Sequence, residues 1–354
     1  MRVLHVDSAR GWRGGQAQVL LSARGMGERG HDVLLACQQD GVLERRARAA
    51  GLEVQPLRFS GDLSPRAWRG LRRAASRFRP DVLLLHDPHT LLPALAAAPR
   101  VRRVAVRRVD FPLAGRLSLV KYRRCARVIA VSRRIADVLR AGGLEPERVC
   151  VVYEGVPDRA PQPGGREALA ALGVPRQALV VGNVAALTDH KDHFTLLAAA
   201  AAVREQRDDV WFVILGEGEL RPALEARAAQ LGLRARCLFL GFRDDLDRLI
   251  PAFDVFCLSS HMEGLGTSLL DAMCFARPVV ATSAGGIPEA VVDQTSGALV
   301  PPRDAAALAR ALQELLSRPE QRAAWGAAGR TLFEQRFTDA QMVEQTLRAL
   351  EQTV

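Results

Sequence analysis

The stretch at residues 254–290, DVFCLSSHMEGLGTSLLDAMCFARPVVATSAGGIPEA, constrains the fold more than any other part of the chain. Its apolar runs at 254–258 and 278–282 have the length and composition of buried strands. Between them lie a glycine-bearing loop and an amphipathic run of one helix's length, so the stretch predicts a single βαβ turn.

The loop between strand and helix reads Glu263-Gly264-Leu265-Gly266-Thr267-Ser268. The first peptide N–H groups of a helix have no partner inside it and sit at the positive end of its dipole, so a phosphate suits this position. Glu263 stands in the loop and Asp271 one turn into the helix, so two carboxylates flank the anion site. One can reach a reacting group and the other the hydroxyls of a sugar. A competing expectation is structural: Ser268-Leu-Leu-Asp271 matches a capping box, in which the acid only satisfies backbone donors.

At 354 residues the chain exceeds the size at which a single core stops growing, so two domains of about 150–200 residues are expected. A first strand at 2–6 leads through the loop Ser8-Ala-Arg-Gly-Trp-Arg-Gly14-Gly15 to a helix at 16–27 and a strand at 32–37. No GxGxxG fingerprint is present, and no acid follows the second strand, which ends Cys37-Gln-Gln. A helix at 65–78 carries Trp68, Leu71, Ala75 and Phe78 on one face and Arg66, Arg69, Arg72, Arg73, Arg77 and Arg79 on the other. The strand at 81–85 runs into His86, and the one at 103–106 into Arg107-Arg108-Val109-Asp110. The carboxyl ends of such strands are where open α/β sheets place their sites. Breakers at 157–165 mark a linker. Beyond it come strands at 178–184, 210–215 and 237–240 and helices at 193–204, 304–316, 320–333 and 337–350. Asp245 and Asp247 have DxD spacing, but they open a helix, where acids cap and complement the dipole, so no metal is assigned to them.

The motifs EGLGTSLLDAM and ARPVVATSAGGIPEAV resemble the donor site of retaining glycosyltransferases of family 4. The resemblance extends over essentially the whole chain and is most specific at 241–304. It implies an α/β chain of the GT-B fold, with two Rossmann-like, doubly wound domains facing across a cleft. The acceptor domain is then 1–160 together with a C-terminal helix at 337–354, and the nucleotide-sugar donor domain is 166–336. Glu263 takes the position that contacts the transferred sugar. Asp271 takes the position that holds the ribose, one methylene shorter than the usual Glu.

Gly14 and Gly15 correspond to a loop that approaches the donor diphosphate, and Gly264, Gly266, Thr267 and Ser268 to the helix start that receives it. Lys191 matches one of two cations that neutralise the phosphates without a metal, while Ala186 stands at the position of the other, an Arg. His86 is expected as a catalytic, acceptor-side contact. Arg108 and Asp110 stand where some relatives have a sugar-contacting His. No cofactor is implied, the nucleotide-sugar being a substrate.

The two halves carry opposite charge: the first 159 residues hold 30 of the 49 Arg and Lys but 15 of the 39 Asp and Glu, a net of +15 against −5 for the rest. Such asymmetry suits an anionic partner, either a phosphorylated or lipid-linked glycan acceptor or an anionic membrane surface. Almost all these cations are Arg, however, and no basic run is long enough to form a tail. A nucleic-acid partner is disfavoured, because aromatic residues are not interleaved with the arginines. The six cysteines form no CxxC pair and read as small buried hydrophobes in a reducing compartment. With a strand at the very start, no signal peptide ahead of it and no apolar stretch of about 18 residues, the expectation is a cytoplasmic chain, with room for peripheral contact at the inner face of the plasma membrane. The rival expectations are a GT-B nucleotide binder weakened in transfer, suggested by Ala186 and Asp271, and an Arg-rich nucleic-acid binder.

Overall fold

The computed structural model describes residues 1–61, 64–113 and 115–353. The chain divides into two compact units, Met1–Pro157 with the segment from Thr338 onward, and Asp158–Phe337. Among the described residues the first unit has β1 (Arg2–Asp7), β2 (Asp32–Gln38), β3 (Glu53–Leu57), β4 (Val82–Leu85), β5 (Arg102–Arg107), β6 (Arg127–Ala130) and β7 (Val149–Val151). The second has β8 (Leu179–Val184), β9 (Val210–Leu215), β10 (Cys237–Phe239), β11 (Val255–Leu258), β12 (Val279–Thr282) and β13 (Gly297–Val300).

All named pairings are parallel, in the orders β3-β2-β1-β4-β5-β6-β7 and β10-β9-β8-β11-β12-β13. Both sheets are doubly wound, and each reverses its strand order once, between β1 and β4 and between β8 and β11. The central strands are buried on both faces, which is why β4 reads Val-Leu-Leu-Leu without alternation.

The helices cover these sheets and begin close to the positions that the apolar spacing predicts. Helix Gly14–Glu28 starts earlier than expected: Gly14 and Gly15 form its first turn and do not belong to the loop before it. Helix Pro65–Phe78 is capped by Ser64 Oγ, which accepts from the Ala67 N–H at 3.3 Å. It buries Ala67, Leu71, Ala74, Ala75 and Phe78 and leaves Arg66, Arg69, Arg72, Arg73 and Arg77 exposed.

The break between units falls at Pro157, earlier than position 160. Asp158 takes a two-pronged ion pair from Arg330 at 2.7 and 2.8 Å, and the Gln162 N–H donates to the Asp247 carbonyl at 2.8 Å, so the expected linker is tied to the second unit. The C-terminal helix likewise starts later than position 337, at Asp339, behind a capping box of Thr338 and Gln341. Phe337 is fully buried and belongs to the second unit, and Val354 lies outside the described residues. This helix joins the core of the first unit through Met342, Val343, Leu347 and Leu350. It approaches helix Gly14–Glu28 so closely that a Cβ on Gly25 would lie 2.7 Å from Val343 Cγ2.

All six cysteines are free and, apart from half-buried Cys150, buried. Burial pushes the thiols of Cys37, Cys125, Cys237 and Cys257 up to about 12, as expected of inert packing groups.

Gly182, in the middle of β8, has no room for a side chain: an added Cβ would lie 2.0 Å from the fully buried ring of Phe253. Gly182→Ala is expected to destabilise the second unit by about 1–3 kcal/mol, as overpacking does. Phe253→Leu on the same chain should recover part of that loss, read as the shift of the urea midpoint at unchanged slope.

Candidate functional site

The reversal of strand order between β8 and β11 brings two loops together at the carboxyl edge of the second sheet. The loop after β8 is shaped by close backbone contact. The Leu187 N–H donates to the Glu217 carbonyl at 3.0 Å. A Cβ on Gly216 or Gly218 would lie 1.9 Å from the Ala185 carbonyl oxygen or 2.2 Å from that of Leu187. The loop closes in a tight turn, Asp189–Lys191, after which Asp192 takes φ 48° and caps helix His193–Gln206 by accepting from the Thr195 N–H and hydroxyl.

The loop after β11 is stitched to it, Ser259 Oγ donating to the Lys191 carbonyl at 3.0 Å and the His261 N–H to that of His190 at 3.0 Å. Lys191 Nζ donates to the Glu263 carboxylate, which also accepts from Ser260 Oγ at 3.2 Å. The Glu263 carbonyl in turn receives the Gly286 N–H, from the loop after β12, at 3.1 Å. The Lys191 and Glu263 side chains are only 17% and 12% exposed, so each charge depends on the other for compensation.

Behind the pair, Asn183 donates to the Cys257 carbonyl at 2.9 Å and accepts from His193 Nε2 at 3.0 Å. This bond places the His193 proton on Nε2. Burial, and then the Lys191 charge, push the imidazole down to about 4, so it is neutral at pH 7.

Gly266 takes φ 90° and stands at the head of helix Thr267–Cys274, with no side chain capping that end. The capping box expected of Ser268 and Asp271 is therefore not formed, because the cap position lies two residues earlier. Asp271 instead pairs with Arg159, whose guanidinium also lies over the Phe275 ring, 5.5 Å from its centroid. Burial pushes the Asp271 carboxyl up to about 6, against the pull of Arg159. The structure thus gathers Lys191, Glu263, Gly264, Gly266, Thr267 and Ser268 around one strand-to-helix turn, with Asp271 one turn further along. Asp245 stands at a helix start but does not cap it, since Arg243 holds its carboxylate in a fork at 2.7 and 2.8 Å. Among the described residues no group of three His, Cys, Asp or Glu is placed to hold a metal.

The first sheet reverses between β1 and β4, and there its buried polar groups collect. His5 Nδ1 lies 3.0 Å from His86 Nε2, and the rings stack with centroids 5.2 Å apart. Arg108 donates to Glu154 at 2.8 Å and lies 3.4 Å from His86 Nδ1. Since a guanidinium only donates, His86 Nδ1 accepts and its Nε2–H donates to His5. Burial, with Arg108 adding to it, lowers His5 to about 3 and His86 well below the usual imidazole range. His86 therefore has both ring nitrogens engaged, its one proton on Nε2 being given to His5, and its Nδ1 orients Arg108. Gly15 adjoins this group, an added Cβ lying 3.6 Å from Arg108 Cδ, and Asp110 is half-buried two residues beyond. Asp7 and Asp87 brace the loop ahead of Gly14, Asp7 accepting from Gln16 and Asp87 from Ser8. Burial and the neighbouring Asp87 push Asp7 up to about 6.

Sequence reasoning missed Arg159, Asn183, His193 and Ser260. Arg159 had been counted only as charge. The sole signal for Asn183 and Ser260 was a polar residue at or just past the end of an otherwise apolar strand, and His193 gave none beyond opening a helix.

Two family models match the chain, one described as Glycosyltransferase Family 4 over residues 12–159 and one as Glycosyl transferases group 1 over 166–332. The chain is 32% identical over 239 residues to the 2-deoxystreptamine glucosyltransferase of Streptomyces kanamyceticus, the match covering 66% of this chain but only 62% of that one. It is 29% identical over 254 residues to the lipopolysaccharide core biosynthesis glycosyltransferase LpsE of Rhizobium meliloti, covering 70% and 68%. The crystal structure of HepE from Anabaena in complex with UDP and glucose superposes with a TM-score of 0.89 at 22% identity, covering 99% of each chain. That likeness establishes the GT-B fold, with its two Rossmann-like domains.

The neutral His193 makes the second unit sensitive to acid. An unfolded His takes up its proton near pH 6.5 and the native one only near pH 4. Between these values the unfolded state binds more protons, so stability falls as pH falls, by on the order of 3 kcal/mol in total. Replacing His193 by Gln should flatten that slope between pH 6.5 and 4 in urea unfolding curves taken at a series of pH values.

Proposed function

Because the chain belongs to the group 1 glycosyltransferases, we propose that it moves a hexose from a nucleotide-sugar donor to a glycan or lipid-linked acceptor of the cell envelope, with retention of anomeric configuration. The observation that carries this is the Lys191–Glu263 pair at the strand reversal of the second sheet, beside a helix start with no side-chain cap. An arriving diphosphate takes the carboxylate's place at Lys191 Nζ and receives the peptide N–H groups at Thr267 and Ser268. Glu263, released, turns to the hydroxyls of the sugar, and Asp271 with Arg159 faces the ribose.

As the bond to the leaving diphosphate breaks, the charge growing on its oxygens is met by one ammonium and a set of fixed peptide dipoles in a partly dry site, the arrangement that stabilises a transition state most. No metal is assigned a step. Retention follows from attack on the face the diphosphate leaves, with one of its own oxygens drawing off the acceptor proton. Arg108, held by His86 and Glu154, and Asp110 are the residues of the first unit assigned to the acceptor. UDP in the HepE complex supports a nucleotide donor, and the role named for LpsE supports an envelope product. We place the protein on the cytoplasmic side, in peripheral contact with anionic membrane.

A second reading, nucleotide binding without transfer, draws on Ala186, which brings no second cation, and on the engagement of Asp271 by Arg159.

A panel of nucleotide sugars given to the wild type and to Glu263→Ala separates the two. The proposal expects the variant to lose about 10²–10³ in rate while UDP still raises its unfolding midpoint. Equal turnover by the two proteins would refute the role of Glu263, and midpoint shifts without turnover by either would favour the second reading. Lys191→Met should weaken UDP binding by about 10- to 150-fold, the worth of one charge-assisted contact.

A further inference from the structure

Helix Gly115–Arg123 in the first unit differs from its neighbours in what it leaves outside. Of its residues only Tyr122 is buried, whereas Phe111 just ahead of it and Leu117 and Val120 within it are 48%, 63% and 48% exposed. Single exposed hydrophobes are ordinary, but three large ones within ten residues form a patch that calls for a partner. Beside the patch runs an open groove of about 600 Å³, with Leu113, Leu119, Val138 and Ala141 as its apolar walls and Arg116 and Arg134 among its lining.

The charge around this patch has one sign. Residues 100–148 contain 14 Arg and Lys against four Asp and Glu. Of the acids, Asp137 pairs with Arg140 at 3.2 Å, and Glu145 with Arg123 and Arg148 at 3.4 and 3.3 Å. Helix Leu91–Ala97 touches both helix Gly115–Arg123 and the Arg-rich helix Pro65–Phe78, so the two basic helices lie in one run along the unit.

We propose that helix Gly115–Arg123, with Phe111 ahead of it and Arg124 after it, is a docking face for an anionic lipid bilayer, Phe111, Leu117 and Val120 entering the acyl boundary while Arg116 and Arg124 meet lipid phosphates. This deepens the membrane contact proposed above by naming the element that makes it. An apolar stripe flanked by basic residues is the pattern of an interfacial helix. The same density of like charge opposes a second copy of the chain, which would bring an equally basic face against it. A sheet of lipid phosphates, by contrast, gains from every Arg that approaches it.

The test is flotation of the full chain with vesicles of phosphatidylcholine alone and of phosphatidylcholine with phosphatidylglycerol. The wild type is expected to float only with the anionic vesicles. The double variant Leu117→Ser/Val120→Ser should lower that partition about tenfold, and Arg116→Gln and Arg124→Gln about fivefold each. The UDP-induced rise in unfolding midpoint should be unchanged in all of them, which separates failure of docking from failure of the donor site. Flotation of the double variant at the wild-type level overturns the proposal. So does a wild-type dimer in light scattering that these substitutions return to monomer while vesicle binding stays as it was.

Discussion

Lys191 and Glu263 are 72 residues apart in sequence and meet only because β8 and β11 are neighbours at the point where the second sheet reverses its order. A lone ammonium or carboxylate at this depth would be costly, so each loop is shaped by the need to bring its charge to the other. On the proposed function this pairing prepares the site for an anion: a phosphate replaces the carboxylate at Lys191, and the displaced carboxylate turns to the sugar. In the proposed mechanism binding exchanges one ion pair for another, so little reorganisation is left for the transition state.

The equivalent reversal in the first sheet has different chemistry. His5, Asp7, His86 and Asp87 crowd the ends of β1 and β4, and burial moves each toward its neutral form, the imidazoles downward and the carboxyls upward. What remains charged is Arg108, answered by Glu154. This pocket holds one guanidinium by the chain Arg108–His86–His5. One sheet topology, used twice, thus carries a buried lysine–glutamate pair beside a helix start in one unit and a pocket built around a held arginine in the other.

The strands, their parallel order and the turn from Glu263 to Ser268 were legible in the sequence, because central strands buried on both faces must be continuously apolar and a helix that receives an anion needs small residues at its start. Other features were not. Gly14 and Gly15 read as loop yet form helix, since glycine permits both. The Ser268–Asp271 spacing matched a capping box, but a cap is set by backbone dihedrals, and Gly266 at φ 90° takes that position. Arg159 sits among breakers that read as linker, and only the fold brings it to Asp271, 112 residues away. Asn183 and His193 tie β8 to the Cys257 carbonyl at the end of β11 through side-chain bonds that no local pattern encodes.

The most direct test of this account is a crystal structure of the protein with a nucleoside diphosphate sugar. It should show a diphosphate oxygen at Lys191 Nζ and at the Thr267 N–H, with the Glu263 carboxylate moved from the lysine onto the sugar hydroxyls. A nucleotide bound elsewhere, with Lys191 and Glu263 still paired, would contradict it.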